Sequence, residues 1–352
     1  MDSTSETTET TDTTFREDQA RDEQVPVLAR TGRWRNPGLW LTLLTIFLIG
    51  LWPVITDSAA TREVIFTMLL SVVLASSLNI ILGYTGYVSF GHVVFFGLGG
   101  YVGLYLMIVH NASLWLAMIA GGLAAALLAF LLGKAILRLR GGYFALATIG
   151  VNEAMRAFIN NFEPFGGPIG LSLNFQTYSD YGGATSALWL TFYLLVALTL
   201  ITIFMSYVVK TSKFGLGLMA IREDEDAAEI MGVTTPNAKT WAYVLSAILP
   251  GIVGVLFFFK NGNIEPPDAF RLHFSIEFIV MVMLGGQGTV LGPVLGAIGY
   301  QRLRGFLLTN ALFKNIQLSV AGALLLVIIL FIPAGAVGWL RQRFTRLRRF
   351  LP

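Results

Sequence analysis

The sequence predicts an all-α fold, a polytopic transmembrane helical bundle of about ten crossings with Gly-interrupted helices. Three observations lead to this prediction. Apolar residues make up 55% of the 352 residues and charged residues only 13%, whereas soluble domains contain about 45–50% and about 25%. The apolar residues are concentrated in long runs, and a helix needs about 20 of them to cross a bilayer. Two of the runs are interrupted by clusters of glycine.

The first element is an acidic tail. Residues 1–24 hold eight acidic and two basic side chains, and the rest of the chain carries 22 bases and 13 acids, a net charge of +9. A segment rich in Ser, Thr, Asp and Glu has little apolar surface to bury, so residues 1–35 are predicted to be disordered. The tail lacks the basic start and short apolar run of a signal peptide. Its end, next to the membrane, is basic.

Ten apolar runs follow within a transmembrane domain at 36–340. They lie near 39–56, 64–82, 88–109, 114–133, 144–160, 187–209, 241–259, 274–285, 290–309 and 316–333. The eighth run, with about 12 residues, is short for a full crossing. The ninth contains Arg302 and Arg304, which must face protein or water, or extend toward the interface.

The distribution of Lys and Arg predicts the orientation, because cytoplasmic loops carry an excess of both. Bases cluster before the first run, at 134–140, in the loop 210–240 and in the tail 341–352. With ten crossings, all four clusters fall on the cytoplasmic side, together with both termini. We therefore expect a multi-pass protein of the cell inner membrane. The bases flank apolar runs and form no aromatic-lined groove, so nucleic acid is not an expected partner.

The sequence offers no catalytic site of its own. There are no cysteines and three histidines, so a thiol site is excluded and a histidine-rich metal site is not expected. No Gly-x-x-x-x-Gly-Lys-Ser/Thr run occurs, and the phosphate-binding loop of ATPases is therefore absent. Gly-x-Ser-x-Gly and His-Glu-x-x-His motifs are absent too. We expect no enzyme, no metal and no cofactor in this chain.

Two glycine-rich breaks lie within apolar sequence, at 83–92 and 284–293. Non-helical backbone at membrane depth is tolerated only where protein buries it or water reaches it, and such breaks in transporters mark the translocation path. The glycines could equally allow close helix packing. The candidate pathway residues are Asn79, Gly83, Gly86, Ser89, His92, Glu277, Gly285, Gly286 and Gln287.

The loop 210–240 contains five acids between 223 and 229, where an excess of bases is expected. From 218 to 231 the apolar residues Leu218, Ile221, Ala228, Ile230 and Met231 alternate with charged ones, as in a short amphipathic helix that ends at Gly232. Such a helix is either a solvated surface element or a contact through which a soluble partner moves the spans.

Charged residues within the runs have two interpretations each. Glu153 and Arg156 are three residues apart, so they can share a helix face and form an ion pair. Glu277 either lines a pathway or caps its helix. The 27-residue outer loop 160–186 is longer than most connectors, which is typical of functional loops. It is either a solvated connector or a docking surface for another protein.

Several motifs resemble known permeases. Asp226-Ala227-Ala228 followed by Gly232 is similar to the EAA signature of bacterial ABC-importer permeases, with Asp in place of the first Glu. Other stretches, in order from about 64 to 333, resemble the LivM-type branched-chain amino acid ABC transporter permease family. They are Gly83-Tyr84-Thr85-Gly86 with Ser89 and Gly91-His92, Leu137 through Ala145, Gly166-Gly167-Pro168 with Gly170, Ala220 through Gly232, and Leu284 through Pro293.

The resemblance implies a permease domain in which the loop 210–240 forms a coupling helix that docks into an ATPase subunit. The implied coupling residues are Arg222, Glu223, Asp224, Glu225, Ala227, Ala228 and Gly232. It also implies a second, LivH-like permease, two ABC ATPase subunits that hydrolyse the ATP, an extracytoplasmic substrate-binding protein, and membrane lipid around the helices. The implied cargo is a branched-chain or other hydrophobic amino acid.

Three alternatives remain open from the sequence. A related permease type imports urea or short amides, and the motifs do not separate the two. An ion-coupled secondary transporter also uses broken helices, but it needs a network of carboxylates in the membrane and this chain has mainly isolated acids. A passive channel would have no use for a coupling loop.

Overall fold

The computed structural model describes residues 37–56 and 58–309, together with residues 322, 335, 337 and 338. The predicted tails at 1–35 and 341–352 and the tenth apolar run, 316–333, therefore lie outside the described residues, apart from residue 322 in that run.

The described chain is almost entirely helical. Its α-helices are α1 (Pro37–Thr56), α2 (Ala59–Thr85), α3 (Val93–His110), α4 (Leu114–Ile136), α5 (Gly142–Asn160), α6 (Ala184–Thr211), α7 (Lys213–Glu223), α8 (Glu225–Ile230), α9 (Thr235–Asn261), α10 (Pro266–Ala269), α11 (Leu272–Gly285) and α12 (Leu291–Thr309). Two-residue strands, β1 (Leu171–Ser172) and β2 (Asn263–Ile264), pair antiparallel. The predicted all-α transmembrane bundle is confirmed as a fold class.

Six described helices are long and apolar enough to cross a membrane: α1 from Gly38, α2, α3, α4, α6 and α9. Three further apolar runs of the predicted set form helices, α5, α11 and α12, that are not both long and apolar enough to cross a membrane. α11 has only 14 residues, and the charged side chains of α5 and α12 lower their mean hydropathy. The described residues thus support six crossings, and the count of about ten is not confirmed.

The helices α3, α4 and α9 pack through their backbones. A Cβ atom on Gly99 would lie 2.2 Å from the carbonyl oxygen of Gly251, and one on Gly251 would lie 2.5 Å from the Cβ of Ala125 and 2.7 Å from the carbonyl oxygen of Gly121. Small residues at such crossings let helices approach closely in a solvent that gives no hydrophobic driving force. The glycines here serve packing.

Helix α2 runs through the centre of the described bundle, and 89% of its most apolar stretch is buried inside the protein. Near its end the Tyr84 hydroxyl lies 2.9 Å from Ser206 Oγ on α6. Near its start the Arg62 guanidinium lies 5.0 Å from the centre of the Trp189 ring, also on α6. By contrast, only 33% of the most apolar stretch of α1 is buried, so α1 lies at the periphery of the described bundle.

The connection between α5 and α6 folds as three short 3₁₀ turns and β1. β1 pairs with the strand that follows α9, with Leu171 opposite Ile264. The Tyr178 hydroxyl donates to the carbonyl oxygen of Phe259 at 2.7 Å, and burial raises the pKa of Tyr178. The loop is therefore held against the end of α9, while Ile169 and Phe175 remain 84% and 75% exposed.

Candidate functional site

The α7–α8 segment (residues 213–232) contains the residues of the predicted coupling helix. Helix α7 begins at a Ser212 cap, whose Oγ accepts from the amide of Gly215 at 3.0 Å. Asp224 has an extended backbone, with φ −156°, and its Oδ1 accepts from the amides of Asp226 and Ala227 at 2.9 and 3.0 Å. Satisfying these free amides is the usual role of an N-cap. The single amphipathic helix predicted over 218–231 is therefore wrong, since Asp224 divides it in two.

The two sides of the segment differ in burial. Leu218, Ile221 and Ala228 are buried against the bundle, as the apolar pattern predicts. Ile230 and Met231 are 88% and 82% exposed. Gly232 then ends α8 with φ +88°, which a residue with a side chain rarely adopts. The segment thus presents a short apolar tip at the end of α8.

Glu225 connects α8 to three other parts of the chain. Its carboxylate accepts from the Tyr87 hydroxyl at 2.8 Å and forms an ion pair with Lys239 at the start of α9. Arg140 Nε, between α4 and α5, lies 3.4 Å from it. The Lys239 side chain is only 4% exposed, and its ammonium also donates to the carbonyl oxygen of Leu137 at 2.9 Å. A buried charge needs such partners, so this cluster fixes α8 in position.

Arg140 also forms a surface pair with Asp226, with 2.7 and 3.3 Å between its two terminal nitrogens and the carboxylate oxygens. The bond from Arg140 lowers the pKa of Asp226, and the same bond raises the pKa of Arg140. Both groups are exposed, so water screens their attraction and the pair adds orientation more than stability.

Arg222 extends from α7 to the end of α2. Its Nη1 donates to the carbonyl oxygen of Gly83 at 2.9 Å. A Cβ atom on Gly288 would lie 2.8 Å from the same Nη1, and one on Gly86 would lie 3.1 Å from Arg222 Cγ. One arginine of the α7–α8 segment therefore contacts both glycine-rich breaks.

The two breaks meet each other at Asn79. Its side-chain amide donates to the carbonyl oxygen of Thr289 at 3.0 Å, and its Oδ1 accepts from the amide of Gly288 at 3.0 Å. A Cβ atom on Gly83 would lie 2.5 Å from the nitrogen of Gly288. Backbone groups freed by the second break thus find partners on α2, which is what buried non-helical backbone requires. Asn79, Gly83, Gly288 and Thr289 form what we call the break cluster.

The remaining pathway candidates lie outside the break cluster, some of them within the second glycine-rich break at 284–293. Ser89 is buried, with its Oγ 3.5 Å from the Tyr243 hydroxyl, and His92 is buried beside the ring of Phe95. Gly285 packs against Gly292, where a Cβ atom would lie 1.7 Å from the carbonyl oxygen of Gly292. Gly286 has φ +118° at the end of α11 and Gln287 is partly buried.

Glu277 is buried between α11 and α12. One carboxylate oxygen lies 3.1 Å from Arg304 Nη1 and the other 2.9 Å from His273 Nε2. Arg304 therefore faces protein, as predicted for a charged residue within an apolar run. The Glu153–Arg156 pair also forms, at 2.7 Å, but on an exposed face of α5.

Three residues that contact Glu225 are not among the site residues predicted from the sequence. They are Tyr87, Arg140 and Lys239. A signal for one of them was present: a lysine in the first turn of an apolar helix needs an anion, and the acids at 223–229 are the nearest in sequence. The sequence does not say which of the five acids it is.

Residues 61–332 match the family model described as the permease component of the branched-chain amino acid transport system. The chain belongs to this family. It is 28% identical over 328 residues to the high-affinity branched-chain amino acid transport system permease protein LivM of Escherichia coli K12, covering 87% of this chain and 76% of that protein. With LivH of Salmonella typhimurium it shares 24% identity, over 75% of this chain and 90% of LivH.

A further relative is the probable branched-chain amino acid transport permease protein LivM of Methanocaldococcus jannaschii, 25% identical over 60% of this chain and 66% of that protein. No solved structure matches the chain significantly. The resemblance to LivM-type permeases is confirmed, and so is the prediction of a multi-pass membrane permease of an ABC importer.

Proposed function

We propose that this permease imports branched-chain or other hydrophobic amino acids, and that it couples ATP hydrolysis in separate ATPase subunits to translocation. The substrate class is supported by the printed names of relatives that cover most of the chain. The coupling is supported by one observation above all, the hydrogen bond from Arg222 Nη1 to the carbonyl oxygen of Gly83. It joins the segment that resembles a coupling helix to the breaks that resemble a translocation path.

The contact with the ATPase is proposed to be the apolar tip of α8. Ile230 and Met231 are almost fully exposed, and in a chain of this family an exposed apolar tip beside four acids suits a cleft on a soluble partner. Ala227 is exposed on the same short helix, so close approach is sterically open. Glu229 and Asp226 add negative charge for recognition.

Motion of the α7–α8 segment has two routes into the bundle. Through Glu225 it moves Lys239 on α9 and Arg140 before α5. Through Arg222 it moves the end of α2 and, by way of the break cluster, the start of α12. Each route begins with a charge-assisted contact, from Arg222 or to Glu225, and such bonds are stronger than neutral ones. A displacement of the tip is thereby shared between helices on different sides of the segment.

The partners in this proposal are a second permease similar to LivH, two ATPase subunits and an extracytoplasmic substrate-binding protein. The binding protein docks on the connection between α5 and α6, where Ile169 and Phe175 are exposed. The protein lies in the inner membrane with both termini in the cytoplasm, because the basic residues flanking the α7–α8 segment favour that side.

The chain has no cysteine, so single introduced thiols report contacts without background. Ile230→Cys should cross-link to the ATPase subunit in purified complexes, and Phe175→Cys, at the far end of the molecule, should not. Vesicles with the complete importer should accumulate leucine, isoleucine or valine only with ATP and the binding protein. Cross-linking from Phe175→Cys instead, or equal uptake without the ATPase, would contradict the proposal. Uptake of urea in place of leucine would contradict its substrate class.

A further inference from the structure

A groove lies between α1, α2 and α12, away from the candidate site. Its volume is about 370 Å³, within the range of roughly 300–1,000 Å³ typical of small-molecule sites. The walls are mostly apolar and include Ile49, Trp52, Met68 and Leu69. The one charged side chain among the described lining residues is Arg302.

Arg302 has no acidic partner among the described residues, whereas Arg304 on the same helix has one. Arg304, two residues later, pairs with the buried Glu277. No described ion pair includes Arg302, and the sequence from 310 to the end contains no Asp or Glu. A guanidinium beside hydrocarbon is costly without an anion. The groove therefore combines an apolar lining with an exposed positive charge that pairs with no described acid.

The position of the groove along α2 places it far from the α7–α8 segment. Its α2 lining runs from Ile65 to Val72, whereas Gly83 contacts Arg222. At 1.5 Å per residue, Ile65 and Gly83 are about 27 Å apart along the helix, close to the thickness of a bilayer core. Trp52 lies in the groove wall near the end of α1, and tryptophan is enriched at membrane interfaces. The groove thus begins near the interface opposite the α7–α8 segment and extends toward mid-membrane.

We propose that this groove binds one anionic phospholipid, with its phosphate on Arg302 and an acyl chain along Ile49 and Leu69. The guanidinium matches phosphate oxygens with two parallel N–H donors, which an ammonium cannot do. The apolar walls of α1 and α2 contact the acyl chain. A net negative headgroup neutralises the charge that the described protein residues leave unpaired. The lipid joins the peripheral α1 to α2 and α12.

Native mass spectrometry of the full-length chain, titrated with phosphatidylglycerol or phosphatidylcholine, tests this proposal without ATP or partner subunits. The wild type should bind one phosphatidylglycerol more tightly than phosphatidylcholine. Arg302→Gln should weaken phosphatidylglycerol binding about fivefold, since one basic side chain contributes roughly that factor to anionic lipid affinity. Arg302→Lys should keep the preference for phosphatidylglycerol, which depends on the charge, but should bind both lipids more weakly because an ammonium lacks the two parallel donors.

Ile49→Trp should fill the groove and abolish the bound lipid while leaving Arg302 in place. Leu116→Trp is the matched control, because Leu116 is an exposed residue of α4 outside the groove. Circular dichroism and gel filtration of each variant establish that it is folded. Equal binding of the two lipids by the wild type, or an unchanged preference in both Arg302→Gln and Ile49→Trp, would overturn the proposal. So would cross-linking of Ile49→Cys to a second permease, which would assign the groove to a protein interface.

Discussion

Replacing Arg222 by alanine should uncouple ATP hydrolysis from transport while leaving the importer assembled. The substitution removes the bond between Nη1 and the carbonyl oxygen of Gly83. Hydrogen bonds to charged groups contribute about 1.5–3 kcal/mol, and because a third of the Arg222 side chain is exposed, we take about 1–2 kcal/mol after screening. That corresponds to a factor of about 5–30 in an equilibrium between coupled and uncoupled states.

The assay is the ratio of amino acid imported to ATP hydrolysed in vesicles that contain the complete importer. Arg222→Ala should lower this ratio about 5–30-fold, from the same estimate, and Arg222→Lys should lower it less because lysine keeps the charge without the planar fork. Glu223→Gln is the control: Glu223 also contacts Arg222, at 3.3 Å, but its side chain is 77% exposed. An unchanged ratio in Arg222→Ala, with the same variant still binding the ATPase, would refute the role of this bond.

Glu225→Ala should lower the free energy of unfolding by about 3–5 kcal/mol, because it leaves the buried Lys239 without its carboxylate. Adding Lys239→Met should restore most of this loss, measured by thermal unfolding. No restoration would contradict the pairing. Asn79→Leu should cost about 1–3 kcal/mol for each of the two backbone groups it leaves unpaired, seen as faster proteolysis near residue 288, and wild-type protection there would argue against the break cluster. Gly251→Leu should prevent folding, since a Cβ atom there already lies 2.5 Å from another, and a monodisperse, stable variant in gel filtration would be the contrary result. The bond from Arg140 lowers the pKa of Asp226. The contribution of this pair to the free energy of unfolding is therefore fully present above the unfolded pKa of about 3.9 and is lost as the pH falls through the lower folded pKa. The difference in stability between the wild type and Asp226→Asn should vanish in acid and be constant from pH 6 to 8.

The fold class was predictable because hydrocarbon imposes a strong and simple constraint on composition. Long apolar runs identify crossing helices whatever their packing, and nine of the ten predicted runs correspond to described helices. The number of crossings was less predictable. A helix such as α5 has intermediate apolar content, and whether Glu153 and Arg156 face lipid, water or another subunit depends on packing that hydropathy does not include.

The candidate site was predictable in its parts and less so in its connections. Glycines inside apolar runs indicated breaks, and the acids at 223–229 indicated an unusual loop. That Asn79 would bond to residues 209 and 210 positions away is a tertiary fact without a local signal. The division of α7 from α8 does not follow from the apolar pattern, because it is made by Asp224, whose side chain accepts from the amides of Asp226 and Ala227 and so begins a new helix.

The backbone contacts among α3, α4 and α9 restrict where the molecule can rearrange. A Cβ atom on Gly99 would lie 2.2 Å from the carbonyl oxygen of Gly251, and one on Gly121 would lie 2.8 Å from the carbonyl oxygen of Gly99, so a change of rotamer alone cannot accommodate sliding at these positions. We therefore expect these three helices to move together, and the displacement of a transport cycle to come from helices held mainly by side chains, such as α1, whose Gly50 faces the side chain of Val196 on α6. Spin labels placed on α4 and α9 should report one fixed separation through the entire cycle, whereas labels on α1 and α9 should report two.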